Sequence, residues 1–359
     1  MTNVIKEGIA SVDSLQLRIE LSKLISFDDM LTNTILHVNE ETSVIENKVK
    51  RKHHHYKFDN FSFYASIARN VRVSKTSQAD CLILLVNAKQ IESDYFDGIT
   101  KDNISIIFDK LIEHEIIDCS LDTFITHSYP TDIDIKKDYR LPFDEFKEVI
   151  VVTETMTKIS NKSKVGCNVF STGIEWSNRR TTQYKTNPFF KIYHKETELL
   201  TKSTIDFTNR YLKGIDFKDL FRIETTIKDR DHLRQLNLGL KDFNLKEILS
   251  LTQEQLNSVI SKSINAHLSP RTKSLTFKNK SKLTPTKQQQ LNALLVFTSE
   301  LNYSLDRSIK VLLNGIENKT SKSLNRTTLK QLYSDNIEGT DYDSKSTKID
   351  SILDSFGWF

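Results

Sequence analysis

The stretch Leu220-Phe221-Arg222-Ile223-Glu224-Thr225-Thr226-Ile227-Lys228 decides how this chain is read. It is rich in β-branched and aromatic residues and holds no Gly or Pro, so it predicts a strand. A two-residue period puts Arg222, Glu224 and Thr226 on one face and Phe221, Ile223, Thr225 and Ile227 on the other. Charged groups among such residues cost free energy to bury unless each meets a cation or a partner. The strand therefore predicts a sheet with one polar face that has a use.

Working outward, similar signals recur. Ser14 to Leu21 alternates with one apolar face, and Phe58 to Ile67 is aromatic and strand-like. Cys81 to Val86 is a short apolar run, read as a buried strand. Asp132-Ile133-Asp134-Ile135 alternates acid and apolar residues. Cys167 to Glu175 and Phe189 to His194 read as strands, and Val149 to Thr153 as a strand or a helix end. Asp102 to Ile117 has helical spacing, with Ile104, Ile107, Leu111 and Ile112 on one stripe and Asp102 or Thr100 as its cap. Leu199 to Lys213 is also read as helical. After about residue 235 helix signals dominate, at 244–251, 252–266, 287–301, 305–315 and 325–334. The expectation is an α+β domain over residues 1–235 and a mainly helical domain over 236–359. A basic linker over 267–290 carries Arg271, Lys273, Lys278, Lys280, Lys282 and Lys287 with no acidic residue.

The bulk numbers exclude little. The 359 residues carry 51 Lys and Arg against 47 Asp and Glu, a net charge of +4, and the pI is about 8.7. That permits a nucleic-acid partner without demanding one. Cys81, Cys119 and Cys167 lie far apart with no CxxC spacing, which argues against a zinc site or a disulfide framework. The first residues lack an apolar signal-peptide core, and no apolar run approaches the roughly 20 residues that span a bilayer. A cytoplasmic protein with no membrane partner is expected.

Chemistry enters with Phe189-Phe190-Lys191-Ile192-Tyr193-His194-Lys195. On a strand, Lys191, Tyr193 and Lys195 share a face, and two flanking cations favour a phenolate and welcome a phosphate. Asp132 and Asp134 share a face of their strand. Oxygen ligands of this type suit Mg²⁺ or Mn²⁺. Spacing alone favours the other use of the same residues, Asp–Arg or Glu–Lys pairing on a solvated sheet face.

The order of these pieces resembles a known group. Thr131-Asp132-Ile133-Asp134 comes first, then Ser171-Thr172-Gly173-Ile174-Glu175-Trp176, then Lys191-Ile192-Tyr193-His194-Lys195 with Glu198-Leu199, and last the Arg222-Ile223-Glu224 strand. Together they resemble the replication initiators of filamentous single-stranded DNA phages. They are more distantly similar to the rolling-circle plasmid initiators of Gram-positive bacteria. The resemblance covers roughly residues 60 to 235 and implies an HUH-endonuclease-like antiparallel sheet with flanking helices. It implies Tyr193 as the nucleophile, Lys195 as its supporting lysine, and Asp134 and Glu224, with Asp132 beside them, as ligands of Mg²⁺ or Mn²⁺. The histidine-hydrophobe-histidine motif of that superfamily is not visible. His53-His54-His55 is read as a solvated patch, and His127 is the outside candidate for a third ligand.

The implied activity is site-specific nicking and rejoining of one DNA strand through a 5′-phosphotyrosine. Origin DNA, a host helicase and a polymerase are the implied partners. Lys191, Arg222, Lys278, Lys280, Lys282 and Arg326 are expected phosphate contacts, along with the basic run Lys48 to Lys52. Ser323 to Tyr333 reads as a recognition helix supported by Ile309, Leu312 and Leu313, or equally as an ordinary helical hairpin. A relaxase of a mobile element, or a DNA-binding regulator without catalysis, are the rival readings.

Overall fold

The structure is a computed structural model, and the described residues are 5–31, 37–38, 45–46, 54–58, 62–72, 77–157, 165–178, 188–228, 230–268, 275–277, 283–300 and 305–339. Its principal strands are β1 (Ser11–Glu20), β2 (His54–Lys57), β3 (Ser62–Arg72), β4 (Gln78–Asn87), β5 (Ser128–Arg140), β6 (Val165–Phe170), β7 (Gly173–Asn178), β8 (Pro188–His194) and β9 (Leu220–Ile227). The helices are α1 (Ile104–Glu113), α2 (Leu121–His127), α3 (Phe143–Met156), α4 (Lys195–Leu199), α5 (Ile205–Tyr211), α6 (Arg230–Gln235), α7 (Leu245–Leu249), α8 (Gln253–His267), α9 (Pro285–Leu295), α10 (Leu305–Leu312) and α11 (Lys319–Asn336). The fold is α+β, built on antiparallel sheet and helices.

Contacts divide the chain into two interleaved units. One holds Met1–Arg140 and Lys195–Ile260, the other Leu141–His194 and Ser261–Phe359. This differs from a linear cut at residue 235. The reason is strand pairing: β9 pairs with β5 along its whole length, from Leu220 opposite Arg140 to Ile227 opposite Ile133. The late strand thereby draws residues 195–228 into the first unit.

The first unit is an antiparallel sheet in the order β9-β5-β1-β4-β3-β2. One face is apolar because the registers line up Leu15 with Val86 and Ile133, Leu17 with Leu84, and Ile19 with Leu82. All of these are buried, as is the α1 stripe of Ile104, Ile107 and Leu111. The α1 cap differs from the expected one. Asn103 occupies the cap position, and its side chain ties the preceding loop by accepting from the Thr100 amide and donating to the Gly98 carbonyl.

The second unit carries the β6–β7 hairpin and β8, paired antiparallel. The expected single strand at 167–175 is two strands, because Ser171 and Thr172 turn the chain before Gly173. Val149 to Thr153 lies inside α3. Trp176, Phe190 and Ile192 are buried, and the Trp176 indole donates to Thr157 Oγ1 at 3.2 Å. Helices α9, α10 and α11 enclose a core of Leu291, Leu294, Ile309, Leu313, Leu329, Leu332, Tyr333 and Ile337. Among the described residues, no helix is long and apolar enough to cross a membrane.

Candidate active site

The polar face of the first sheet is organised around Asp134. Register places it between Ser14 of β1 and Thr226 of β9. The Ser14 hydroxyl donates to one carboxylate oxygen at 2.6 Å and the Thr226 hydroxyl to the other at 2.5 Å. The two hydroxyls hold the carboxylate in a fixed orientation. Glu224 is 3% exposed and stands opposite Lys136, two positions along the ladder from the Thr226–Asp134 pair and on the same face. Asp134 and Glu224 are thus diagonal neighbours on one face of adjacent strands. Asp132 is half-buried and lies opposite Gln16.

Farther along the same face the charges are buried and mutually satisfied. Arg222 has no exposure. It donates from Nε to Asp138 Oδ1 at 2.6 Å, from Nη2 to Asp138 Oδ2 at 3.0 Å, and from Nη1 to Asp13 at 2.8 Å. Asp13 reaches it because a bulge in β1 falls between Val12 and Ser14. Lys136 pairs with Asp138 at 3.1 Å and donates to the Phe96 carbonyl at 2.9 Å. Lys195 is 3% exposed, pairs with Glu198 at 2.6 Å and sits 5.2 Å from the Tyr95 ring centroid.

The electrostatics follow from burial among like and unlike charges. Burial, then Arg222, push the Lys136 ammonium down to about 8. Burial and Arg222 also lower Lys195, against the opposing pull of Glu198. Burial pushes the Asp138 carboxyl up, but Arg222 and Lys136 outweigh it and hold the group well below the usual carboxylate range. Burial holds the Tyr95 hydroxyl well above its ordinary value, so it stays neutral.

In the second unit, Tyr193 is half-buried near the end of β8, between buried Ile192 and His194. Lys191 shares its face, with the ammonium 5.9 Å from the Tyr193 ring centroid. Across the ladder stands Gly173. A Cβ there would come 2.5 Å from the Ile192 carbonyl oxygen and 2.8 Å from the Tyr193 Cβ. Only glycine lets β7 approach this closely. Beneath Tyr193, His194 packs edge-on against Phe143, with ring centroids 4.7 Å apart.

The structure therefore gathers some expected residues and places others elsewhere. Asp134, Glu224 and Asp132 share a face. Arg222, expected to contact phosphate, is enclosed by Asp138 and Asp13, which is the pairing the sequence left open. Lys195, expected on the strand face with Tyr193, starts α4 and is buried against Glu198 and Tyr95. The strand ends at His194, so the period of two ends there. Arg326 pairs with Asp306 at 2.8 Å. Lys278, Lys280 and Lys282, the run Lys48 to Lys52, and His53 lie outside the described residues. His54 and His55 lie in β2, where His55 stacks on Tyr64 with centroids 3.9 Å apart, and His127 ends α2. Asp13, Lys136, Asp138 and Tyr95 were not anticipated. The alternation of Lys136 and Asp138 beside Asp134 was the signal for two of them.

Among the described residues, no group of three or more His, Cys, Asp or Glu side chains converges as a metal site. Two diagonal carboxylates remain a donor set of the kind that Mg²⁺ uses with water and phosphate oxygens completing its shell.

No protein-family model matches the chain, and no curated protein matches it. The structure is similar to the solved structure of a rolling circle replication initiator protein from Geobacillus stearothermophilus. The two share 12% sequence identity, the match covers 76% of this chain and 91% of that chain, and the TM-score is 0.30. A likeness at that score carries no argument about this chain's chemistry.

Proposed function

We propose that the chain initiates rolling-circle DNA replication by nicking one strand through Tyr193. The observation that carries this reading is the setting of Tyr193: a half-buried phenol with the Lys191 ammonium beside its ring, on a strand whose neighbour is cleared by Gly173. A phenol so placed has a strand-held backbone and an ammonium beside its ring, groups suited to meeting a phosphate.

In the proposed reaction the Tyr193 oxygen attacks a backbone phosphorus in line. The phosphorus–O3′ bond breaks, the 3′-oxygen takes up a proton, and the phenolic proton is lost to solvent or a base. The 5′-phosphotyrosine conserves the bond energy, so a later 3′-hydroxyl can reverse the step. Asp134 and Glu224 would hold Mg²⁺ or Mn²⁺, an ion whose chemistry is charge stabilisation at a phosphate. Ser14 and Thr226 fix the Asp134 carboxylate in place. Arg222 and Lys195 belong to the buried ion pairs of the first unit.

The test is a supercoiled plasmid carrying the DNA that flanks the coding sequence. Incubation with the protein and Mn²⁺ converts it to open circles, and a chelator abolishes the conversion. An unchanged plasmid with Mn²⁺ present contradicts the proposal.

A further inference from the structure

Helix α11 runs 18 residues, yet from Thr320 to Thr328 it contributes no fully buried side chain to the core of its unit. From Thr320 to Thr328 every residue is exposed or half-exposed, and Leu324 is 71% exposed. Burial begins at Leu329 and continues through Leu332, Tyr333 and Asn336. The helix is therefore anchored by its second half, while its first half stands out from the α9–α10–α11 core.

The composition of the exposed half is not what helix stability selects. At solvent-facing positions strong helix formers are expected, because packing decides nothing there. Here the residues are Thr320, Ser321, Ser323, Asn325, Thr327 and Thr328, all weak formers. Asn318 caps the helix by accepting from the Thr320 and Ser321 amides at 3.0 Å. The Thr327 and Thr328 hydroxyls donate back to the Ser323 and Leu324 carbonyls, which leaves their oxygens as acceptors. The exposed surface is thus a row of short donors and acceptors with one apolar side chain, Leu324.

The charge is one-sided. From Asn318 to Gln331 the sequence holds Lys319, Lys322, Arg326 and Lys330 and no acid. Arg326 and Lys330 both reach Asp306 of α10 at 2.8 Å, so two of the cations brace the helix against its neighbour. Lys322 lies one turn earlier on the same flank, beyond that brace.

We propose that the exposed half of α11 enters the major groove of duplex DNA, beside the single strand that Tyr193 is proposed to cut. This inference extends the nicking proposal and can fail separately from it. The exposed half is roughly 14 Å long at 1.5 Å per residue, and a helix is about as wide as the major groove. Lys322 contacts phosphate, and the hydroxyls, Asn325 and Leu324 face base edges and thymine methyl groups. The six-residue turn Leu313–Asn318 is longer than the three or four residues of a helix-turn-helix. The docking is accordingly assigned to α11 alone.

The experiment uses the full chain and fluorescence anisotropy with labelled random-sequence duplex and with single strand, across a salt series. Lys322→Glu is expected to weaken duplex binding about tenfold and to reduce the slope of log K on log salt by about one. Binding to single strand and the Tyr193 adduct on single strand stay at wild-type levels. Selection from a random duplex pool enriches a motif with the wild type, and Asn325→Ala loses the preference at one position. Asn325 is exposed and Lys322 half-exposed, and an unchanged helical circular dichroism signal certifies the fold of each variant. Duplex binding by both variants equal to wild type overturns the proposal. So does an equal loss on duplex and single strand, or a wild type that binds no duplex. An adduct that persists in Tyr193→Phe with the duplex results as expected would leave this inference standing alone, and loss of the adduct in Tyr193→Phe with duplex binding untouched by Lys322→Glu and Asn325→Ala would leave the nicking proposal standing alone.

Discussion

Arg222 and Asp138 form a two-point pair inside the first sheet, with Nε to Oδ1 at 2.6 Å and Nη2 to Oδ2 at 3.0 Å, and neither side chain is open to water. Removing one partner leaves a buried charge poorly compensated, which costs about 3–5 kcal/mol. Asp138→Asn is expected to lose that much in urea unfolding at neutral pH, with Asp13 retaining part of the guanidinium's compensation. A loss under 1 kcal/mol would show the pair to be dispensable (~1 kcal/mol being the worth of an exposed pair).

The same carboxylate sets an acid response. Its folded-state value is depressed below the ordinary 3.8 by Arg222 and Lys136 despite burial. A depressed carboxylate contributes stability that is full above its unfolded value and lost as pH falls toward its folded value. The wild type therefore loses stability as pH drops below about 4. Asp138→Asn lacks that contribution, so the gap between the two narrows on acidification. Denaturant midpoints measured from pH 7 down to pH 2 check this; a constant gap would contradict it.

Gly173→Ala tests the close approach beneath Tyr193. Its Cβ would lie 2.5 Å from the Ile192 carbonyl oxygen, and backbone cannot yield as a flexible side chain does. Forced overpacking of this kind costs about 1–3 kcal/mol. The expected outcome is that loss in stability together with reduced DNA cleavage. Full stability with full cleavage would mean that β7 has room to spare.

Asp134→Asn separates the carboxylate's charge from its shape. The amide keeps one oxygen for a hydroxyl and loses the other acceptor, which costs about 1 kcal/mol. Cleavage with Mn²⁺ is expected to fall on the order of a hundredfold, the scale set by disturbed metal ligation. Near-wild-type cleavage would remove Asp134 from the proposed metal set.

Leu329 marks where α11 becomes buried, at 3% exposure within the helical core. Leu329→Ala is expected to cost about 2–5 kcal/mol, whereas Leu324→Ala, five residues earlier and 71% exposed, costs under about 0.5 kcal/mol. Thermal melts of the two variants decide this. Equal costs would mean that the exposed half of α11 is packed.

The legible parts of this protein are those with a local cause. β1, β5 and β9 follow from a period of two, because one face of each is apolar and the other polar. The α1 stripe follows from helical spacing in the same way. The hairpin at Ser171–Thr172 was hidden because both arms have strand composition and the turn uses no Pro or Asn. The division into interleaved units was hidden because it depends on β9 finding β5 some 80 positions earlier, a pairing no local window contains. Arg222 shows the limit at the level of a site. Its strand face was readable, but its partners required the register of β9 on β5 and a bulge that brings in Asp13. Lys195 shows a smaller failure: the alternation that put it beside Tyr193 holds only while the strand continues, and the strand stops at His194.

The central claim is that Tyr193 carries the DNA strand after cleavage. The direct measurement is a denaturing gel of the protein incubated with labelled single strand from the DNA flanking its coding sequence, in the presence of Mn²⁺. The wild type is expected to show a band shifted by the covalently attached DNA, and Tyr193→Phe to show none while still binding the strand. A shifted band of undiminished intensity in Tyr193→Phe would contradict the account.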